Sequence, residues 1–297
     1  MELRGIYANA SAGKKTVIVL LVFAAMFMLT VLSLAVITSF SDSGPDDRDT
    51  LLLTIVLQNI LLFILSPLIC AYFISERGSD MIRMRRIPTA PEFLLCLTAL
   101  IVMTPAMNLL VTWNQSMHLP DALSGIEEWM RQQEDIAEKT TGIILDAKTA
   151  GALLLVIFVV GLLTGVGEEF AFRGIIQNLF AGNGRNAHIA VWATAILFSA
   201  IHLQFYGFIP RLVIGAFLGY LLVWSGSIWL PVFAHFANNT FAVISSYIAA
   251  NGCATDKFDS IGTVQDGTLW VSAMSAAAFV CVAALLYRTC KDAVARK

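Results

Sequence analysis

Eight apolar runs, each about as long as a membrane span, dominate this sequence and leave little room for any other fold. They are about Thr16–Phe40, Leu51–Ile74, Phe93–Trp113, Thr149–Phe170 (with a helix running on to Phe180), Ala187–Leu203, Gly207–Trp224, Trp229–Ala249 and Thr268–Tyr287. A transmembrane helix needs about 20 mainly apolar residues. Only 13% of the chain is charged, whereas soluble domains average about 25%. The sequence therefore predicts an all-α, polytopic membrane helix bundle of about eight transmembrane helices.

The charges between the runs predict the orientation of the helices. The N-terminus, the second loop and the C-terminal tail are basic, whereas the first and third loops are mostly acidic. Because lysine and arginine concentrate in cytoplasmic loops, both termini are predicted to face the cytoplasm. A compact chain without sorting signals favours a bacterial plasma (inner) membrane. Arg211, near the outer start of the sixth run, does not follow the charge rule.

The composition also excludes several classes of partner and site. The five cysteines include no CxxC spacing, so neither a thiolate zinc site nor a disulfide framework is predicted. A net charge of −2 gives no support to a nucleic-acid partner. The partner that the composition does predict is the lipid bilayer.

The third loop contains the pattern of a helix start. Ser124 and Glu127 have the spacing of a capping box, and Ile126, Trp129 and Ile136 follow near helical spacing. A short amphipathic helix on the outer surface is expected here. It would be either a solvated connector or an element that controls substrate access.

Three charges interrupt the fourth apolar run, where a charge costs between ~2.5 and ~10 kcal/mol or more. Glu169 and Arg173 are four residues apart and are predicted to pair on one helix face. Glu168 points about 100° away and has no partner on its own helix, which suits it to general-base work. The alternative is a buried ion-pair cluster that only fixes helix packing. Gly161 and Gly165, spaced for close helix approach, favour tight packing in either case.

Two later runs carry the other intramembrane polar groups. His202 ends the fifth run one turn after Phe198, which either walls a pocket or simply packs. His235 and Asn239 are four residues apart on the seventh run and share a face. Together with Glu168 they would build a water-activating site. The alternative for His202 is an interfacial or hydrogen-bonded residue. For His235 with Asn239 the alternative is an interhelical polar clamp.

The depths of these groups can be compared along their helices. Glu168 lies ~21 Å and His202 ~22 Å from their nearest helix ends, at ~1.5 Å per residue. His235 is only ~9 Å past Trp229 by the same rise. This mismatch disappears if the apolar turn Ser225–Pro231 is tucked into the protein.

The ordered motifs resemble those of the CPBP intramembrane proteases, also called the CAAX-protease and bacteriocin-processing or Abi family. The resemblance extends over about Ala150 to Ala249, and its order and spacing are specific. The motifs are Glu168-Glu169-x-x-x-Arg173, Phe198-x-x-x-His202 and His235-x-x-x-Asn239. The resemblance implies a peptidase that cleaves a membrane-associated peptide or protein, CAAX-like and prenylated in some members.

The resemblance also implies roles for single residues. Glu168 would activate water with the help of His202, and His235 and Asn239 would stabilise the oxyanion. Members are usually called metalloproteases, and a glutamate with two histidines is a known catalytic zinc ligand set. Glu168, His202 and His235 would then be the zinc ligands. The same residues suit a metal-free glutamate mechanism.

The remaining site residues would support these groups. Glu169 and Arg173 would form the structural ion pair, with Phe198 beside them. We expect three segments in the chain. Residues 1–148 would hold helices 1–3 and the outer amphipathic segment, residues 149–250 the catalytic core of helices 4–7 that carries the resemblance, and residues 251–297 an outer loop and helix 8. A second hypothesis is a non-enzymatic transporter, or an immunity or scaffold protein, that uses the same polar cluster.

Overall fold

The chain folds into a bundle of helices with no strand in the part that the structure, a computed structural model, describes (residues 3–40, 47–182, 186–252, 258 and 260–296). Its helices are α1 (Ala12–Phe40), α2 (Arg48–Ile74), α3 (Gly78–Met81), α4 (Ala90–Gln115), α5 (Ser124–Leu145), α6 (Ala150–Ala181), α7 (Ala187–Ala200), α8 (Phe208–Ser225), α9 (Trp229–Ala250) and α10 (Leu269–Ala295). The predicted all-α class is confirmed. The division into three segments stays a prediction, and part of its third segment lies outside the described residues.

Six of the described helices are long and apolar enough to cross a membrane: α1, α2, α4, α6, α8 and α10. The shorter apolar helix α7 has 14 residues and is therefore ~21 Å long, less than the ~30 Å hydrocarbon core. Helix α9 has 22 residues but carries a polar face. These eight helices match the predicted runs, so the chain is a multi-pass membrane protein.

Helix α6 lies at the centre of the bundle and packs against α2, α7 and α9. Its residues from Phe170 to Ile175 are all buried, and a helix buried on every side belongs in a core. Two π-helical segments, Ile157–Leu163 and Phe170–Ile176, flank the turn that carries the two glutamates. Such segments are frequent at functional sites.

The first π segment leaves carbonyl groups that side chains satisfy, as a membrane interior requires. Thr164 Oγ1 donates to the Val159 carbonyl at 3.1 Å, and Asn239 Nδ2 donates to the Val160 carbonyl at 3.0 Å. Asn239 belongs to α9, so this irregular segment also joins two helices.

Glycines allow the close approach of α6 and α9, as predicted. A Cβ added to Gly165 would lie 3.2 Å from the backbone nitrogen of Phe236, and one added to Gly161 would lie 2.9 Å from Thr240 Oγ1. The small residues therefore bring the backbone of α6 against α9 at the level of the glutamates.

The turn between α8 and α9 is tucked into the protein. Ser225, Ser227 and Ile228 are completely buried. The loop after α3 covers them, since Ile228 N donates to the Arg83 carbonyl at 3.1 Å and Trp229 Nε1 donates to the Met84 carbonyl at 2.8 Å. Because this turn is buried in the protein, His235 can lie at the same depth as Glu168.

The predicted capping box at Ser124 and Glu127 is wrong, because Ser124 makes no capping hydrogen bond at the start of α5. The Glu127 carboxylate instead accepts from Arg131 Nη2 at 2.6 Å and from the Leu119 N–H at 2.8 Å. The Arg131 guanidinium, this N–H and His118 lower the pKa of Glu127 to about 2. Glu127 thus folds the preceding loop against α5.

Helix α5 packs one face against the turn that leads from α7 to α8. The Trp129 and Phe205 rings are 5.4 Å apart, and the Arg131 guanidinium lies 4.6 Å from the centre of the Tyr206 ring. Glu134 Oε2 accepts the Tyr206 N–H at 3.2 Å. The helix is therefore amphipathic, as predicted, and it covers the segment that follows His202.

Candidate active site

A completely buried ion pair organises the centre of the site. Glu169 Oε1 accepts from Arg173 Nη1 at 2.9 Å, and neither side chain has any exposed surface. The pair predicted from the spacing of the two residues is therefore present. Arg173 Nη2 also donates to the Gly215 carbonyl at 2.9 Å, which ties α6 to α8.

Glu169 also holds the histidine of α9. Its Oε1 accepts from His235 Nδ1 at 2.8 Å. An ionised carboxylate can only accept, so Nδ1 carries the proton. His235 Nε2 then faces Glu168 Oε2, 3.7 Å away. The structure thus brings together on one side of α6 the two glutamates, Arg173 and His235.

The charges of this cluster can balance without an outside ion. Arg173 compensates one of the two glutamates, and one negative charge is left over. An imidazolium at His235 would compensate it, with Nδ1 directed to Glu169 and Nε2 towards Glu168. Buried charges are stable only when they are paired in this way. Glu168 keeps 13% of its side chain exposed, so it is the member of the cluster that a water molecule can reach.

His202 lies in the turn after α7, with its ring orientation fixed by its own chain. Its Nδ1 is 2.7 Å from the Phe198 carbonyl oxygen. A carbonyl only accepts, so Nδ1 carries the proton and Nε2 of a neutral ring has a free lone pair. His202 can therefore accept a proton or orient a water molecule through Nε2.

Phe198 packs between the polar groups of the site. Its ring makes edge contacts with His202 at 5.1 Å and with His235 at 6.0 Å between ring centres. The Arg173 guanidinium lies over the same ring at 4.7 Å, at cation–π distance. Phe198 is 4% exposed and forms an apolar wall shared by both histidines.

Asn239 lies one turn beyond His235 and binds the Val160 carbonyl. Val160 is eight residues before Glu168 on α6, which corresponds to ~12 Å along the helix axis. Asn239 therefore lies beside His235 on α9, one turn further along the helix. A primary amide has a second N–H to donate, which can serve a substrate.

The site has the donor types of a zinc centre. Glu168, His202 and His235 supply a carboxylate and two imidazoles, and each histidine donates its Nδ1–H as zinc ligands commonly do. However, no three His, Cys, Asp or Glu side chains of the described ranges lie close enough together to hold one ion. The zinc ligand set therefore stays a prediction.

Several residues that support the site were not predicted from the sequence. Gln177 Nε2 donates to the Gly219 carbonyl at 3.1 Å, one turn beyond the bond from Arg173 to Gly215. The spacing of Gln177, four residues after Arg173, could have indicated this second link. Arg211 also belongs to the neighbourhood of the site, and its exception to the charge rule was the available signal.

The turn after His202 is strained. Leu203 has φ of 54°, in the left-handed region that costs a residue with a side chain about 1–2 kcal/mol. Its side chain is 47% exposed, so it gains little from packing. Strain of this kind is held in place by surrounding contacts and is common at functional sites. Here it sets the direction in which the chain leaves His202.

Replacement of Leu203 should therefore act through the backbone. Leu203→Gly is expected to keep the melting temperature and the activity of the protein, because glycine adopts this conformation freely. Leu203→Val should destabilise the protein by about 1 kcal/mol and lower activity, since β-branched residues tolerate positive φ least. Thermal unfolding of both variants in detergent checks this. Equal stability of the two would show that the turn is not strained.

Comparison with known proteins identifies the segment that carries this site. Residues 150–241 match the family model of the type II CAAX prenyl endopeptidases, Rce1-like, and the match includes all the predicted site residues. A Bacillus subtilis protein described as uncharacterized protein YpbD is 31% identical over 102 residues, which are 33% of this chain and 48% of that protein. The chain thus spans about half the length of this curated relative. No solved structure matches the chain.

Proposed function

We propose that this protein is an intramembrane endopeptidase, on the premise that its residues 150–241 match the family model of the type II CAAX prenyl endopeptidases. It would hydrolyse a peptide bond of a membrane-associated peptide or protein. The observation that carries the proposal is the position of Glu168 Oε2 opposite His235 Nε2, at 3.7 Å, beside a buried ion pair. A water molecule bound beside these two atoms would be within reach of both a base and a proton donor.

The chemistry begins with Glu168 as general base. Its carboxylate takes a proton from water, and the resulting hydroxide attacks the carbonyl carbon of the peptide bond. His202 would orient this water through the lone pair of Nε2. When the carbon–nitrogen bond breaks, the proton held by Glu168 passes to the leaving nitrogen. The carboxylate is then regenerated.

The oxyanion of the tetrahedral intermediate needs donors that are already in place. His235, as an imidazolium, would donate from Nε2 while Nδ1 stays bound to Glu169. Asn239 would supply the second N–H of its amide, one turn further along α9. Glu169 and Arg173 act as positioning residues, because they hold His235 and do not touch the reacting atoms.

Zinc is a separate part of the proposal. Bound by Glu168, His202 and His235, it would supply a Lewis acid that lowers the pKa of a bound water molecule. The side chains would have to move closer together to bind it, and the steps above do not depend on it. The name of the matching family model suggests a prenylated peptide as substrate, so the assay includes one.

Purified protein should cleave peptides, and the cleavage should depend on Glu168. We expect Glu168→Gln to lower kcat/KM by about 100-fold or more, as loss of a general base does. Cleavage of an apolar peptide library, with prenylated and unprenylated members, is followed by mass spectrometry. The same reactions with a chelator, and with zinc added back, test the need for metal.

Glu138→Gln provides the matched control, because Glu138 is an exposed glutamate on α5. It should cleave at the wild-type rate. Cleavage by well-folded Glu168→Ala at the wild-type rate would refute the proposal. A wild-type protein that is folded but inert with every peptide would favour the transporter or scaffold hypothesis.

A further inference from the structure

Arg211 is a cation beside the proposed site with no assigned role. It lies in the first turn of α8, just after the turn that follows His202. Its Nη2 donates to Gln204 Oε1 at 2.5 Å, and its Nη1 donates to the Gln204 carbonyl at 3.5 Å. The guanidinium packs over Gly207, where an added Cβ would lie 3.3 Å from Nη2. The side chain is therefore partly buried and held in one place.

The position of Arg211 is unfavourable for a cation. The N-terminal turn of a helix carries a partial positive charge, so acidic side chains are stabilising there and basic ones are not. A partly buried charge in an apolar segment also loses solvation. An anion bound to Arg211 would offset both the repulsion by the helix N-terminus and the lost solvation. Gln204 cannot do this, because it supplies only neutral acceptors.

The protein does not provide this anion by direct contact. None of the ion pairs formed among the described residues includes Arg211. Arg211 interacts electrostatically with Glu134 and Glu168, but neither carboxylate forms an ion pair with it. Glu134 accepts the Tyr206 N–H, and Glu168 faces His235. The guanidinium is thus available to a ligand.

We propose that Arg211, held by Gln204, is a subsite for a carboxylate group of the substrate. A guanidinium binds a carboxylate through two parallel hydrogen bonds, which fix both position and orientation. The carboxylate would be either the C-terminal α-carboxylate of the peptide or an acidic side chain. This inference rests on the proposed peptidase function, since it assigns part of the substrate to that site.

The location of Arg211 would give this contact a role in specificity. Arg211 also interacts electrostatically with His202, and the turn from His202 to Gly207 joins the two residues. A carboxylate bound at Arg211 therefore lies on the His202 side of the site. Binding there fixes how far the scissile bond lies from the carboxylate, and so selects one peptide bond for attack by Glu168.

The test uses one library of acetylated apolar hexapeptides made in three forms. The first form has a free C-terminal carboxylate, the second has a C-terminal carboxamide, and the third has a carboxamide with one internal aspartate. Cleavage by wild type, Arg211→Gln, Arg211→Lys and the control Arg288→Gln, at an exposed arginine of α10, is measured as kcat/KM. Binding of the same peptides to immobilised Glu168→Gln, with and without Arg211→Gln, is measured separately.

Wild type and Arg288→Gln should prefer one of the two carboxylate forms over the plain carboxamide by about tenfold or more, the usual effect of a charged hydrogen bond. The preferred form identifies the source of the carboxylate. In Arg211→Gln the ratio should fall to about one, and Arg211→Lys should retain part of it. The affinities of the same peptides for immobilised Glu168→Gln, with and without Arg211→Gln, should show the same ratios.

Three results would overturn the inference. One is the absence of a preference in wild type, and another is a preference that Arg211→Gln keeps. The third is an equal loss of kcat/KM with all three peptide forms in both Arg211→Gln and Arg211→Lys. That result would mean that Arg211 acts only through its interaction with Glu168. If wild type cleaves nothing, the proposed function fails, and the binding ratios decide the carboxylate subsite by themselves.

Discussion

Replacement of Glu169 by alanine should destabilise the protein by about 3–5 kcal/mol, the usual cost of removing one partner from a buried ion pair. Arg173 would keep a fully buried charge without its carboxylate. His235 Nδ1 would lose its acceptor in the same step, so its ring would no longer be fixed opposite Glu168. We therefore also expect cleavage to fall to the level of Glu168→Gln. Thermal unfolding and peptide cleavage of the purified variant measure the two effects.

A double variant separates the two effects. In Glu169→Leu with Arg173→Met, apolar side chains replace the whole ion pair, and such replacements are often neutral or stabilising. Stability should recover, but cleavage should not, because His235 still lacks its acceptor. If the double variant recovered full activity, Glu169 would have no role in positioning His235.

An exposed ion pair gives the control. Lys148 Nζ lies 2.5 Å from Asp146 Oδ1, and the two side chains are 76% and 45% exposed. Exposed pairs of this kind contribute little to stability. Lys148→Ala should therefore melt close to the wild-type temperature. A loss of stability as large as that of Glu169→Ala would show that the destabilisation of Glu169→Ala does not come from the burial of its ion pair.

The sequence was sufficient for features that depend on one helix at a time. Apolar length predicted the spans, and the four-residue spacing predicted the pair of Glu169 with Arg173. Spacing alone could not show that His235 Nδ1 binds Glu169, because that contact depends on how α9 is rotated against α6. The π segments on either side of Glu168 change this rotation, and their residues have no distinctive pattern.

The two capping-box patterns of the chain show the same limit. Thr89 and Glu92 form a complete capping box at the start of α4, whereas Ser124 and Glu127, with the same spacing, do not. A charged partner of the glutamate is not the difference, since Glu92 also binds Arg86 at 2.8 Å. Thr89 is the N-cap residue of α4, whereas a 3-10 turn, Asp121–Leu123, runs directly into α5 and puts Leu123 at its N-cap position. A local pattern fails where the chain is already helical before it.

Gly165→Val should also cause a large loss of cleavage activity, because it disturbs the contact between α6 and α9. The first side-chain atom would already lie 3.2 Å from the Phe236 backbone nitrogen, and a backbone atom cannot move aside without moving its helix. Overpacking of this kind costs about 1–3 kcal/mol. The two helices that must separate carry Glu168 and His235. We therefore expect cleavage to fall by more than tenfold, a larger loss than the stability change alone would cause.

Gly151→Val is the control for this loss of cleavage. It tests whether the loss comes from the position of Gly165 or from introducing a valine into α6. Gly151 lies in the first turn of the same helix, and an added Cβ meets nothing within 4 Å. Valine there should leave cleavage and melting temperature near those of wild type. The distinguishing measurement is kcat at saturating peptide at a temperature where Gly165→Val is still folded. A normal kcat would mean that α6 and α9 can move apart without separating Glu168 from His235, and that their close approach serves packing alone.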